Sequence, residues 1–187
     1  MPVGADGNAR DRRLGEYWED RFCEIATTFG WEAWPFQRKR GSTFKSPAGT
    51  RFICPDVWIL RRGERQYACE IKHKDACALG YGFEEYRAQS LMDLEAEYTN
   101  QFGPVIALYV VHNHARAGGK WAKTNRLSDW TAQRLHILEE SHTPGMCPTY
   151  YAGKVTDHKV PIHYYHTSLF GPLEDWLGDV YEQQGLF

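Results

Sequence analysis

Apolar positions recur every three or four residues from Leu14 through Trp18, Phe22 and Ile25 to Phe29, the one-sided stripe of an amphipathic helix. Gly30 is placed to end it. Trp31 to Gln37 follows as a short aromatic run with strand character, and RKRGSTFKSPAGT, with two glycines and a proline, reads as a loop. Phe52 to Leu60 and Gln66 to His73 are rich in β-branched and aromatic residues. They flank the polar Arg61 to Arg65, which predicts a hairpin turning at Gly63. Ala76 to Gly82 is loop-like, and Phe83 to Tyr98 returns to helical spacing through Tyr86, Leu91 and Leu94. The run PVIALYVV, from Pro104 to Val111, predicts a strand buried on both faces.

Helix, strand, hairpin, helix, strand is the order of an α/β fold with a mixed central sheet flanked by helices. Beyond it, His112 to Arg126 is a polar, Gly-rich connection, and Leu127 to Glu140 predicts a helix capped by Ser128. Val160 to Tyr165 predicts a strand and Leu173 to Tyr181 a final helix. There is no internal repeat and no composition shift that would mark a boundary. The expected organisation is a short flexible tail over residues 1–13 and a single domain over 14–187. Residues 14–111 form its core and 112–187 a C-terminal elaboration. A chain of 187 residues suits one such domain and is short for two.

Composition narrows the class. Pro104 to Val111, the longest apolar run, is far too short to span a bilayer as a helix. MPVGADGNARDRR has no apolar segment of the kind a signal peptide needs, so none is expected. Five cysteines, odd in number and never spaced CxxC, fit a reduced, cytoplasmic setting. The net charge of −2 argues against a chain-wide electrostatic grip on nucleic acid. Residues 36–75 nevertheless carry ten Lys or Arg against four acids. That excess makes either a local basic surface or ordinary solvated loops.

Two strand-like runs each hold an acid, Asp56 and Glu70, and Lys72 follows Glu70 by two, on the same strand face. Across a hairpin the two carboxylates become neighbours. Each then resists ionisation unless a cation lies between them. Oxygen ligands of this kind, with room for water and phosphate, suit Mg²⁺, and an ammonium beside the ion could orient the attacking water and stabilise negative charge. A hydrolytic site for phosphodiesters accounts for all three groups. The alternative is a salt-bridged hairpin edge.

Pro55-Asp56, a hairpin, then Glu70-Ile71-Lys72 resembles the signature of the PD-(D/E)xK nuclease superfamily, with its restriction-endonuclease-like core. Gly15 to Glu19 followed by Gly30-Trp31 resembles the first helix of the archaeal Holliday-junction-resolvase branch. The resemblance spans Leu14 to Val111. It implies Glu19, rather than Glu16, as an additional acid, and Gln89 as a glutamine near the site; Glu24 is a further alternative for the acid, and an exposed helix position is the alternative for Gln89. It further implies an Mg²⁺-dependent nuclease, with Mn²⁺ able to substitute, acting on DNA as a homodimer. Asp56, Glu70, Glu19 and the Ile71 carbonyl would hold metal, and Lys72 would assist the water. Arg38, Lys39, Arg40 and Lys45 in one loop, Arg61 and Arg62 in the turn, and Lys74 would contact phosphate, which positions nucleic acid without reading its sequence. The apolar Trp130, Leu135, Ile137, Phe170, Trp176 and Leu177 are available for a dimer interface or for the chain's own core.

Other signals point elsewhere. His112-Asn113-His114 spells HNH, but the HNH motif spreads its residues over a hairpin and a helix. The eight histidines lack partners at zinc-finger or ribbon spacing and so predict no zinc site. Trp121, Trp130 and Trp176 suit core packing better than base stacking. The rival functional readings are a non-catalytic nucleic-acid-binding module and an accessory subunit of a larger defence or replication complex.

Overall fold

The computed structural model describes residues 5–36, 43–46, 48–61, 65–119, 124–151 and 154–178. Helix α1 (Ala5–Thr28) buries Trp18, Phe22 and Ile25, the stripe read from the sequence. It begins well before Leu14, so the segment expected as a tail is helical from Ala5. At its other end Gly30 takes a positive φ of 83°, and Trp31 returns its backbone N–H to Ala26.

The expected hairpin is present in divided form. Pro55 has no N–H to give a ladder, and the run from Phe52 to Leu60 breaks there. Strand β3 (Arg51–Ile53) pairs with β2 (Thr43–Lys45), which lies in the segment expected as a loop. After the break, β4 (Val57–Leu60) lies between β1 (Glu32–Pro35) and β5 (Gln66–Lys74), antiparallel to both. A short strand β6 (Tyr81–Glu84) then precedes α2 (Glu85–Phe102), so Phe83, expected in the helix, belongs to a strand. Helix α2 crosses over to β7 (Val105–Asn113), which runs parallel to β5. Both central strands are buried on both faces.

Past β7 come a one-turn α3 (His114–Ala117) and the expected helix over 127–140, which takes another form. A 3₁₀ turn (Leu127–Asp129) leads to β8 (Trp130–Arg134), and only α4 (Leu135–Glu139) is α-helical. The free edge of β7 explains the difference: β8 pairs along it from Leu108 to His112 and buries Trp130, Thr131 and Ala132. The strand expected near Val160 is the end of β10 (Lys154–Tyr165), which pairs with β9 (Thr143–Tyr151) and β6. Strand β9 was not expected, because it contains Pro144, Gly145 and Pro148; it lies at an edge of its sheet, where proline is tolerated. Last come β11 (Gly171–Pro172) and α5 (Leu173–Leu177).

The main sheet runs β1-β4-β5-β7-β8-β11 among the described residues. On one face Tyr67, Cys69 and Ile71 meet Trp18, Phe22 and Ile25 of α1 and Trp176 and Leu177 of α5. On the other, Ala107, Tyr109 and Val111 meet Ala88 and Leu91 of α2, Leu135 and Leu138 of α4, and Tyr165 of β10. Trp130, Leu135, Trp176 and Leu177 are therefore core residues of this chain, and they leave the expected dimer interface without the surface assigned to it. Ile137 and Phe170 are half-buried. No described helix is long and apolar enough to cross a membrane.

One glycine lets the turn before β6 close onto the end of β10. Gly80, at a φ of 110°, packs so closely on β10 that a Cβ would lie 2.0 Å from the Tyr165 carbonyl oxygen. Both the conformation and the contact exclude a side chain. Gly80→Ala is expected to destabilise the protein by about 2 kcal/mol or more, read from urea denaturation midpoints. A midpoint unchanged from the parent would contradict this packing.

Candidate metal and nucleic-acid site

The break at Pro55 puts Asp56 one residue ahead of the Val57–Cys69 pair, where its side chain turns toward β5. Its Oδ2 accepts the Ile71 backbone N–H at 2.8 Å. On β5 the odd residues face α1, whereas Glu70 and Lys72 face α2. Lys72 Nζ donates to Glu70 Oε1 and lies 3.5 Å from Asp56 Oδ2. Arg87, in the first turn of α2, reaches both oxygens of Glu70 with Nη2, at 2.6 and 2.7 Å. The same Nη2 is 3.8 Å from Asp56 Oδ1. Two carboxylates thus share two cations, and both reach a common centre. The Glu70 side chain is 0% exposed and that of Asp56 19%, so Asp56 is the acid that solvent reaches.

Burial and mutual charge set the two acids apart. Burial and the neighbouring Glu70 charge push Asp56 up to about 6, against the pull of Lys72, Arg87 and the Ile71 N–H. Glu70 is also penalised by burial, but Lys72 and Arg87 outweigh that and hold it below the ordinary carboxylate range. Burial likewise works against the charge on Lys72, yet Asp56 and Glu70 prevail and its pKa is raised. Lys72 is therefore a firmly protonated hydrogen-bond donor.

The remaining expected residues divide. Glu19 is half-buried on α1, a helix that packs on the face of β5 opposite to Glu70 and Lys72. Gln89 is exposed and donates to Asp93 at 2.8 Å. At 100° per residue it points away from Arg87, which is the α2 side chain that meets the acids. Lys74 lies on the Lys72 face as expected, but its ammonium donates to the Gly82 carbonyl, and burial and Lys72 lower it to about 8. Arg61 is turned inward: it stacks over Trp31 at 4.6 Å and donates to the carbonyls of Phe29 and Leu177. Its guanidinium braces α1 against α5. Lys45 is exposed on β2, paired in register with exposed Arg51 on β3. Arg38, Lys39, Arg40, Arg62 and Trp121 lie outside the described residues. Trp130 and Trp176 are buried, the core use expected of them.

Arg87 was missed by sequence reasoning, although a signal existed. It lies four residues before Leu91 and seven before Leu94, on the helix stripe that meets the sheet. A cation there needs an anion beneath it. The paired histidines behave differently from a metal motif. His112 and His114 join His73 in a ring cluster under Trp18, which stacks on His112 at 3.7 Å. Burial and His73 lower His112 to about 4.

No family model matches this chain, and no curated protein does either. A solved structure is similar in fold: Archaeoglobus fulgidus Hjc, a Holliday junction resolvase from an archaeal hyperthermophile. It aligns with a TM-score of 0.51 and 16% identity, over 88% of this chain and 100% of that one. The fold is accordingly restriction-endonuclease-like, a mixed sheet between helices.

The raised pKa of Asp56 has a measurable consequence. Between the unfolded value of about 3.9 and about 6, the folded state binds this proton more tightly than the unfolded chain. The carboxyl thus adds stability in acid, and the contribution is lost as pH rises through about 6. From pH 5 to pH 8, in EDTA, the stability of Asp56→Asn relative to the parent is expected to rise by about 1 kcal/mol in urea titrations. A difference independent of pH would show that Asp56 is not held beside Glu70.

Proposed function

We propose that this protein is a metal-dependent endonuclease that hydrolyses DNA phosphodiester bonds, a member of the PD-(D/E)xK group with a preference for branched DNA. The observation that carries the reading is the convergence of Asp56, Glu70 and Lys72 at the centre of a fold shared with a resolvase. The donor set fits Mg²⁺, being two carboxylates that reach one centre and the adjoining Ile71 carbonyl. Asp56, Glu70 and Ile71 would hold the ion. When bound, it supplies charge for the phosphate oxygens and a more acidic water.

The chain's own groups supply the rest. Asp56, the more exposed of the two acids, must be ionised to bind a cation, so ion binding weakens as pH falls below about 6. Lys72, held protonated by both acids, donates to the attacking water or a phosphate oxygen; it is not a base. Arg87 neutralises Glu70 in the protein alone, and once a cation shares that carboxylate its guanidinium is a ready donor to phosphate. Exposed Lys45 and Arg51 on the β2–β3 hairpin offer a path for the nucleic-acid backbone. One chain carries one such centre, so symmetric cutting of two strands requires a second copy.

The full pairing of Glu70 with Lys72 and Arg87 favours a second reading, in which the cluster is a neutral structural unit within a DNA-binding module. One assay separates the two. Purified protein is incubated with Mg²⁺, Mn²⁺ or EDTA on linear, circular, single-stranded and four-way-junction DNA. Cleavage is expected with either metal and none in EDTA. Glu70→Gln and Lys72→Met should each reduce the rate about 100-fold or more while DNA binding persists. Binding without cleavage would establish the module, and cleavage unaffected by EDTA or by Glu70→Gln would dismiss this site.

A further inference from the structure

The C-terminal elements bring together a second group of donors, remote in sequence from the first. Glu139 ends α4, His142 immediately precedes β9, and His163 lies on β10 opposite Phe83 of β6. The pairing of β9 with β10 sets His163 opposite Pro144, two residues from His142. His163 Nδ1 lies 2.9 and 2.8 Å from the two oxygens of Glu139. His142 Nδ1 lies 2.9 Å from the Glu139 carbonyl oxygen and 3.6 Å from Glu139 Oε2, and the two imidazoles stack with centroids 3.8 Å apart. One ligand atom from each of the three residues lies within 4.8 Å of the others, the sole such group of three among the described residues.

We propose that Glu139, His142 and His163 form a binding site for a divalent transition-metal ion, Zn²⁺ above all, that fastens the β9–β10 hairpin to the core. Two imidazoles and a carboxylate are borderline-soft donors that suit Zn²⁺ rather than Mg²⁺. Tetrahedral Zn²⁺, with bonds of about 2.0–2.1 Å, has ligand atoms about 3.4 Å apart, between the 2.8 and 3.6 Å that separate Glu139 Oε2 from the Nδ1 atoms of His163 and His142. Three protein ligands leave a fourth position for water.

The surroundings match those of such a site. The Tyr165 hydroxyl donates to Glu139 Oε1 and fixes the carboxylate. On its far side His163 presents Nε2 to Glu85, 3.8 Å away, the outer carboxylate that commonly orients a ligating imidazole. The three side chains are only 12–29% exposed, which limits competition from water. With Nδ1 given to the ion, His163 carries its ring proton on Nε2, the nitrogen that faces Glu85. The site draws together α4, the start of β9 and β10, and through Glu85 it touches the first turn of α2, two residues before Arg87.

The test uses binding, not cleavage, and so stands apart from the nuclease reading. Chelator-stripped protein is titrated with Zn²⁺ against a chromophoric competitor, and folding of every variant is checked by circular dichroism. One tight equivalent is expected in the parent and in the double variant Asp56→Asn, Glu70→Gln. His142→Ala and His163→Ala should weaken that equivalent by about 100-fold or more, and Glu85→Ala by about 10-fold. Co²⁺ in place of Zn²⁺ should give a tetrahedral visible spectrum that folded His163→Ala lacks. Should a histidine variant fail to fold, Glu139→Gln and Glu85→Ala in the same titration take its place. Less than one equivalent in the parent, full affinity in folded histidine variants, or loss of the equivalent in the Asp56, Glu70 double variant would overturn the proposal.

Discussion

A fully buried carboxylate in the middle of a central strand governs much of this architecture. An unpaired charge at Glu70 would cost several kcal/mol, so its surroundings must supply cations with hydrogen-bonding geometry. Lys72 comes from the same strand face and Arg87 from the first turn of the crossover helix. To deliver Arg87, α2 must start at Glu85 and lie over the even face of β5. That position in turn presents Leu91 and Leu94 to the sheet. The ion cluster and the apolar packing of α2 therefore specify each other.

Asp56 is the member of the cluster with freedom left. Its backbone carbonyl ties it to Phe36 and its carboxylate to Ile71, but of the two acids it alone is partly open to solvent. Two chemically similar acids are pushed in opposite directions, one kept ionised by a pair of cations and the other made reluctant by burial. Such separation of neighbouring carboxyl groups is a recurrent property of catalytic and ion-binding centres.

Local signals were legible where local forces dominate. The α1 stripe, the buried β7 run and the shared face of Glu70 and Lys72 follow from periodicity, and the structure has all three. Where pairing across long sequence distance decides, the text was silent or misleading. Trp130 to Arg134 has helical spacing, yet the unfilled edge of β7 makes it a strand. Reading Phe83 as helical shifted the start of α2 and gave its inner face to Tyr86, which is 55% exposed, in place of Arg87. Gln89, which the resemblance placed near the site, takes the exposed helix position that was its alternative. The meeting of Glu139, His142 and His163 depends on the β9–β10 pairing, so no spacing rule along the chain reveals it.

The Leu177 carbonyl receives the indole N–H of Trp31 at 2.8 Å and the guanidinium of Arg61. Nearly 150 residues separate the partners of the first of these bonds. The outer layer over the odd face of β5 is thus finished only when α5 arrives to cap it. Contacts of such sequence separation slow folding and make it cooperative, because loop closure must come before the reward. A nascent chain lacking α5 would leave Trp31 and Tyr67 uncovered. Synthesis through α5, rather than of the half bearing the acids alone, then sets the moment at which the charged centre gains a rigid frame.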